Sequence, residues 1–114
     1  MDPSSTAVLL RIIVSESDTW HGKTLHTALV EAARKSGLAG ATVLRGIEGY
    51  GAHGRLHTAR LVDFSPDLPI VIEIFDSEEK IAAFLATVET MVKSGLVTTE
   101  RVTIVMHAGK LAQS

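Results

Sequence analysis

Between Arg45 and His57 the chain reads RGIEGYGAHGRLH, a run that gathers most of the residue types able to do chemistry. Gly49, Gly51 and Gly54 stand in a G-x-G-x-x-G spacing that begins just after Gly46 and encloses Tyr50. Arg45 and Arg55 bracket it with fixed positive charge, and His53 and His57 add two imidazoles. Backbone N–H groups in an open glycine loop can cradle an anion, and guanidinium groups can bind a phosphate or carboxylate bidentately. A pH-dependent cation at His57 would add to this. A second candidate is Glu73, a lone carboxylate inside the apolar run PIVIEIF. It cannot be buried unpaired without cost. It is either ion-paired, with Arg11, Arg45 or Arg60 as the available cations, or a hydrogen-bond acceptor in a cleft for a ribose or an amine.

Each candidate has a plainer reading. The dinucleotide fingerprint needs a helix opening from its glycines, but Arg55 to Phe64 stays extended in character, so the spacing alone marks a connector that uses positive φ. His53 and His57 are four apart on a loop, share no helical face and have no cysteine nearby, which makes a poor metal site. Trp20 is a packing anchor at a helix entrance or a stacking platform for a base. His21 and His26 read as surface residues, and His107 as facing the sheet or a subunit boundary. No nucleophile elbow, H-E-x-x-H or P-loop occurs, so the chain is read as a protein without catalytic apparatus.

The elements that must position these residues follow from periodicity. Ala7–Val14 is a near-continuous apolar strand, and Leu25, Ala28, Leu29, Ala32 and Ala33 mark a helix over Thr24–Ser36 with Gly37 as its left-handed cap. Ala41–Ile47 is the second strand, Thr58–Phe64 an extended arm, and Pro69–Phe75 another buried strand. Asp76 with Glu79 reads as a capping box for a second helix carrying Ile81, Phe84, Leu85, Val88, Met91 and Val92 and closed by Gly95. Val102–His107 is the last strand, and the tail after it reads as frayed.

Lys35-Ser-Gly-Leu38 recurs as Lys93-Ser-Gly-Leu96, 58 residues on, and Asp18, Val30, Glu31 and Ile12 find identical residues at the same offset. Each half is strand–helix–strand. The whole is β-α-β-β-α-β, an α+β ferredoxin-like antiparallel sheet with two helices on one face. We expect one domain over residues 1–114, ordered from about 7 to 108. Two helices cover one sheet face, yet the central strands are apolar on both. The uncovered face calls for burial in a homo-oligomer or for the arm at Thr58–Phe64 to fold over it.

Composition narrows the rest. The net charge of -2, without clustered Lys and Arg, argues against nucleic acid. The absence of cysteine excludes disulfides and thiolate metal sites. The apolar start is too short to span a bilayer and lacks a signal peptide's basic region, so a cytoplasmic location is expected.

The block VLRGIEGYGAHGRLHTARLVDFSPDLPIVIEIFDSEEKI, with WHGK before the first helix and GLAGATVLRGIEGYG after it, resembles the uncharacterised PII-like family known as domain of unknown function 190. The likeness covers about residues 8 to 107 and extends more distantly to the nitrogen-regulatory PII signalling proteins. It implies a ferredoxin-like homotrimer binding an adenine nucleotide between subunits, with Gly49–Thr58 as the signalling loop and Glu73 on a strand flanking the cleft. On that basis the candidate ligand residues are Arg45, Gly46, Gly49, Tyr50, Gly51, Gly54, Arg55, His57 and Glu73. PII proteins carry a lysine-bearing, glycine-rich phosphate loop before the last strand. GLVTTERVT lacks that motif, which points to a smaller ligand such as AMP rather than a triphosphate. Relatives encoded beside fluoride-exporting channels imply a membrane channel or transporter as partner. The alternatives are a ligand-free interaction module acting on such a partner, or a small enzyme or metal-handling protein of the same fold.

Overall fold

The computed structural model describes residues 6–50, 57–58 and 67–108, with backbone only at His57 and Thr58. In chain order the elements are β1 (Thr6–Ser15), β2 (Thr19–Trp20), β3 (Lys23–Thr24), α1 (Leu25–Lys35), β4 (Thr42–Arg45), β5 (Glu48–Gly49), β6 (His57–Thr58), β7 (Pro69–Asp76), α2 (Glu78–Met91) and β8 (Leu96–Thr103). The main sheet runs β4-β7-β1-β8, every neighbouring pair antiparallel. That order interleaves the two strand–helix–strand halves, which is the ferredoxin-like α+β fold.

Alternation along the strands decides the two sheet faces. Val8, Leu10, Ile12 and Val14 of β1 and Ile70, Ile72 and Ile74 of β7 are buried under the helices. From α1 come Leu25, Ala28, Leu29 and Ala33, and from α2 Ile81, Phe84, Val88 and Met91, with Leu85 and Val92 partly buried beside them. Seven of these side chains are less than 2% exposed, so this single layer between sheet and helices is the core.

Helix α1 ends as its sequence requires. Gly37 takes φ +79°, its N–H donates to the Arg34 carbonyl, and the N–H of Leu38 donates to the Ala33 carbonyl. This is a Schellman cap, with Leu38 tucked into the core behind it.

Several boundaries differ from expectation. The N-cap of α2 is Ser77, not Asp76: the Ser77 hydroxyl accepts from the Lys80 N–H at 3.2 Å. Asp76 is the last residue of β7 and is buried at 3% exposure, too far inside the fold to cap the helix. Its carboxylate accepts from the N–H groups of Ala39, at 2.9 Å, and Ser77, at 2.7 Å, tying the end of the α1 connection to the start of α2. Helix α2 closes at Met91 with Val92 extended, ahead of Gly95. Gly95 serves close packing instead. With φ +147° it lies so near β1 that an added Cβ would stand 2.5 Å from the Ile13 carbonyl oxygen. The last strand therefore starts at Leu96, six residues before Val102, and ends at Thr103. Ile104 to His107 fall beyond it, with Val105 and Met106 exposed. Polar Thr98 to Arg101 hid this strand because β8 is an edge strand and only half its residues need be apolar.

The connection SESDTWHGK is also structured. Trp20 pairs with Lys23 across a two-residue turn in which His21 and Gly22 both have positive φ, at 49° and 82°. That is the backbone of a type I′ hairpin. The arm at Thr58–Phe64 lies outside the described residues beyond Thr58, as does the tail after Ala108.

Candidate functional site

The candidate residues separate into two places. Arg45, Gly46, Gly49 and Tyr50 stand at one end of the sheet, where β4 leaves it and the β5–β6 ribbon begins. The ribbon is held by Glu48 opposite Thr58 and Gly49 opposite His57. Gly51, Gly54 and Arg55 lie outside the described residues, and for His57 the structure describes the backbone in β6.

At this end the two described glycines have a packing reason. The Gly46 N–H donates to the Pro69 carbonyl at 2.7 Å, continuing the β4–β7 ladder by one bond. A Cβ on Gly46 would meet the Pro69 ring at 2.6 Å, and one on Gly49 would meet it at 3.1 Å. The proline that opens β7 is thus seated against two glycines, which lets the chain pass closely over it.

Arg45 is paired within the chain. Its guanidinium binds the Glu16 carboxylate through Nε and Nη2, the latter at 3.1 Å to Oε1. That hydrogen bond raises the Arg45 pKa above its usual value, so the side chain is charged at all working pH. An anionic ligand at Arg45 would have to compete with Glu16. Beside them Ser15 and Ser17 donate to the Asp67 carboxylate, and the Ser15 N–H donates to Asp18, which orders the turn after β1.

Glu73 lies elsewhere. In the β4–β7 register Arg45 is opposite Ile70 and Glu73 opposite Thr42, so the two side chains point to opposite faces of the sheet. The cation of Glu73 is Arg11, directly opposite it on β1, with Nη2 2.8 Å and Nε 3.0 Å from Oε2. Arg11 Nη1 also lies 3.5 Å from Glu100 on β8. Of the cations the sequence offered for Glu73, the fold supplies Arg11; Arg45 pairs with Glu16, and Arg60 lies outside the described residues.

These charges sit in the middle of the face away from the helices. Reading across the strands, one row is Thr98, Arg11, Glu73 and Thr42; the row on one side is Leu96, Ile13, Val71 and Leu44; on the other stand Glu100, Leu9 and Phe75. Leu9 is buried, while Leu96 is 55%, Leu44 50% and Phe75 42% exposed.

Trp20 is half-buried and packs against the core, which supports the anchor reading, and the His21 ring stacks on its indole at 4.1 Å. His26 is not the plain surface residue expected: it is half-buried, and its Nδ1 is enclosed with no hydrogen-bond partner among the described residues. The Nδ1 of His107 is likewise enclosed. Sequence reasoning missed a cleft of about 360 Å³ where α2 meets β8. Val88, Val92 and Val97 line it with Glu89, Lys93, Ser94 and Gly95. Its Lys93-Ser94-Gly95 rim repeats the triplet that ends α1 in a cap, so no local pattern marked it. Among the described residues no three His, Asp or Glu side chains gather as a metal site would require, and no helix is long and apolar enough to cross a membrane.

Comparison with known proteins gives consistent neighbours. The family model DUF190, described as Uncharacterized ACR, matches residues 7–104. A UPF0166 protein of Aquifex aeolicus (strain VF5) is 41% identical over 97 residues, covering 85% of this chain and 91% of that protein. A Thermus thermophilus structure described as a PII-like signaling protein superposes with TM-score 0.65 at 25% identity, over 89% of this chain and 91% of that one. The nitrogen regulatory PII-like protein CPII of Thiomonas intermedia K12, bound to ADP, AMP and bicarbonate, superposes with TM-score 0.62 at 20% identity, over 89% and 90%.

Proposed function

Because the chain belongs to the DUF190 family, we propose that it is a PII-like regulatory protein that binds a small adenine-type nucleotide at boundaries between copies of itself, in a homotrimer. The observation that carries this reading is the PII-like protein bound to ADP and AMP, whose fold this chain shares over 89% of its length. The cleft between α2 and β8 adds local support. It opens at the edge of the sheet, with valines on one wall and Lys93 and Ser94 beside Glu89 at its rim. The role is regulatory rather than catalytic.

The test is thermal shift and calorimetry with AMP, ADP, ATP and cyclic dinucleotides. AMP or ADP should raise the melting temperature, since ligand at about a hundred times its Kd stabilises the native state by roughly 2.7 kcal/mol. If no nucleotide shifts the melt or gives heat, this reading is wrong.

A second reading has its own observation. Ile47 and Tyr50 flank β5 and are 77% and 75% exposed, two large apolar side chains at the base of the ribbon. Such exposure suits a docking loop for a protein partner, in which case Ile47→Ser with Tyr50→Ser would abolish partner capture while leaving the melting temperature unchanged.

A further inference from the structure

We infer that the cleft where α2 meets β8 binds a small zwitterion with an apolar body, a branched-chain α-amino acid such as leucine being the simplest case. The inference goes beyond the nucleotide reading and does not depend on it, since that reading rests on the shared fold. The charges of the cleft, the way α2 ends and the apolar wall each point to such a ligand.

Glu89 and Lys93 are four residues apart, in the order that favours an ion pair along a helix. They do not pair. Helix α2 stops at Met91, Val92 is extended at φ -91° and ψ 113°, and Lys93 is carried off the helical path. Both residues are exposed and line the cleft, and neither makes an ion pair or hydrogen bond among the described residues. The cleft thus offers one uncommitted carboxylate and one uncommitted ammonium, with the Ser94 hydroxyl following Lys93 as a further donor. An anion drawn to Lys93 would meet Glu89, and a cation drawn to Glu89 would meet Lys93. A ligand that carries both charges answers both with charge-assisted bonds.

The end of α2 strengthens the ammonium half of the site. Helix α1 ends on Arg34, Lys35 and a glycine cap, whereas α2 has no basic residue in its last turn and an extended Val92 as its cap. The Val88 carbonyl accepts the Val92 N–H, but among the described residues no backbone N–H is bonded to the carbonyls of Glu89, Thr90 or Met91. These orphan carbonyls give the helix end partial negative charge beside the Glu89 side chain. The wall is made by Val88 and Val92 of the helix segment and by Val97, which the β1–β8 register sets opposite Ile12 on the helix face of the sheet. A cleft of about 360 Å³ stands at the small end of the roughly 300–1,000 Å³ spanned by small-molecule sites, which suits a single amino acid.

The test is calorimetry on the full chain with five ligands. Leucine carries both charges, 3-methylbutylamine keeps only the ammonium, 4-methylpentanoate keeps only the carboxylate, glycine lacks the side chain, and AMP represents the nucleotide. Leucine should bind about tenfold or more tighter than the amine, the acid or glycine, each of which lacks one charged contact or the apolar one. Glu89→Gln should weaken leucine and the amine about tenfold without weakening the acid, and Lys93→Met should weaken leucine and the acid about tenfold without weakening the amine. Both positions are exposed, so both variants should melt as the native protein does. No heat from millimolar leucine, equal losses for amine and acid in either variant, or displacement of leucine by AMP would overturn the inference. AMP that gives no heat while leucine binds as described overturns the nucleotide reading alone.

Discussion

Asp76 shows how one side chain can do work that its sequence position disguises. An aspartate just before a helix reads as an N-cap, but here its carboxylate is buried and takes the Ala39 N–H from a distant connection as well as that of Ser77. Asp76→Ala should therefore leave the Ala39 N–H without its partner and cost about 1–3 kcal/mol, measured by chemical denaturation. A loss below a few tenths of a kcal/mol would mean that water replaces the carboxylate. Glu73 makes the same point. The residue type calls for a partner, a cation or a ligand, and only the β1–β7 register sets Arg11 opposite it.

At the scale of elements, the helix starts and the hairpin carry separate predictions. Ser77→Ala removes the bond to the Lys80 N–H and should cost about 1 kcal/mol, whereas Glu79→Ala, at an exposed site with no capping role, should be nearly neutral. The β2–β3 hairpin is clipped to α1 by Lys23 Nζ and Glu31, 2.7 Å apart, and by the Leu25 N–H donating to the Asp18 carbonyl. The hydrogen bond from Lys23 holds the Glu31 carboxyl below its usual pKa. A carboxylate with a lowered pKa in the folded state stabilises above its unfolded value of about 4.3 and loses that contribution as pH falls through the lowered one. Acid titration followed by Trp20 emission should accordingly show the hairpin loosening only in that acidic window. Glu31→Gln should remove the step, and an identical titration in that variant would sink the assignment. The effect is small, because both side chains are exposed.

Among the described residues the molecule has two layers, helices on one face of the sheet and nothing on the other. Ile12, Ile70 and Ile72 all face the helices and are at most 3% exposed, so a charge there strikes the core. Ile72→Asp should abolish folding, since an unpaired charge in the core costs several kcal/mol. Leu44→Asp, on the opposite face and 50% exposed, should leave the circular-dichroism melt of the monomer intact while preventing assembly. A protein that keeps its native oligomeric mass with Leu44→Asp would show that the open face is not where copies meet.

A 3.6-residue apolar repeat was enough for the two helices and near-continuous apolar runs for the two buried strands, and the likeness of the two halves then gave their order along the chain. The cap at Gly37 was legible for the same local reason. The run from β4 to Pro69 was legible as a loop between strands, but its glycines read as ligand contacts, whereas Gly46 and Gly49 also make room for Pro69. What local pattern could not supply was everything decided by strand register and close approach. Register put Arg45 and Glu73 on opposite faces and brought Arg11 between Glu73 and Glu100. Close approach to Ile13 placed Gly95 at the start of β8 rather than at a helix end, although its four-residue setting repeats that of Gly37. Identical local sequences met different neighbours, and the neighbours are set only when the sheet closes.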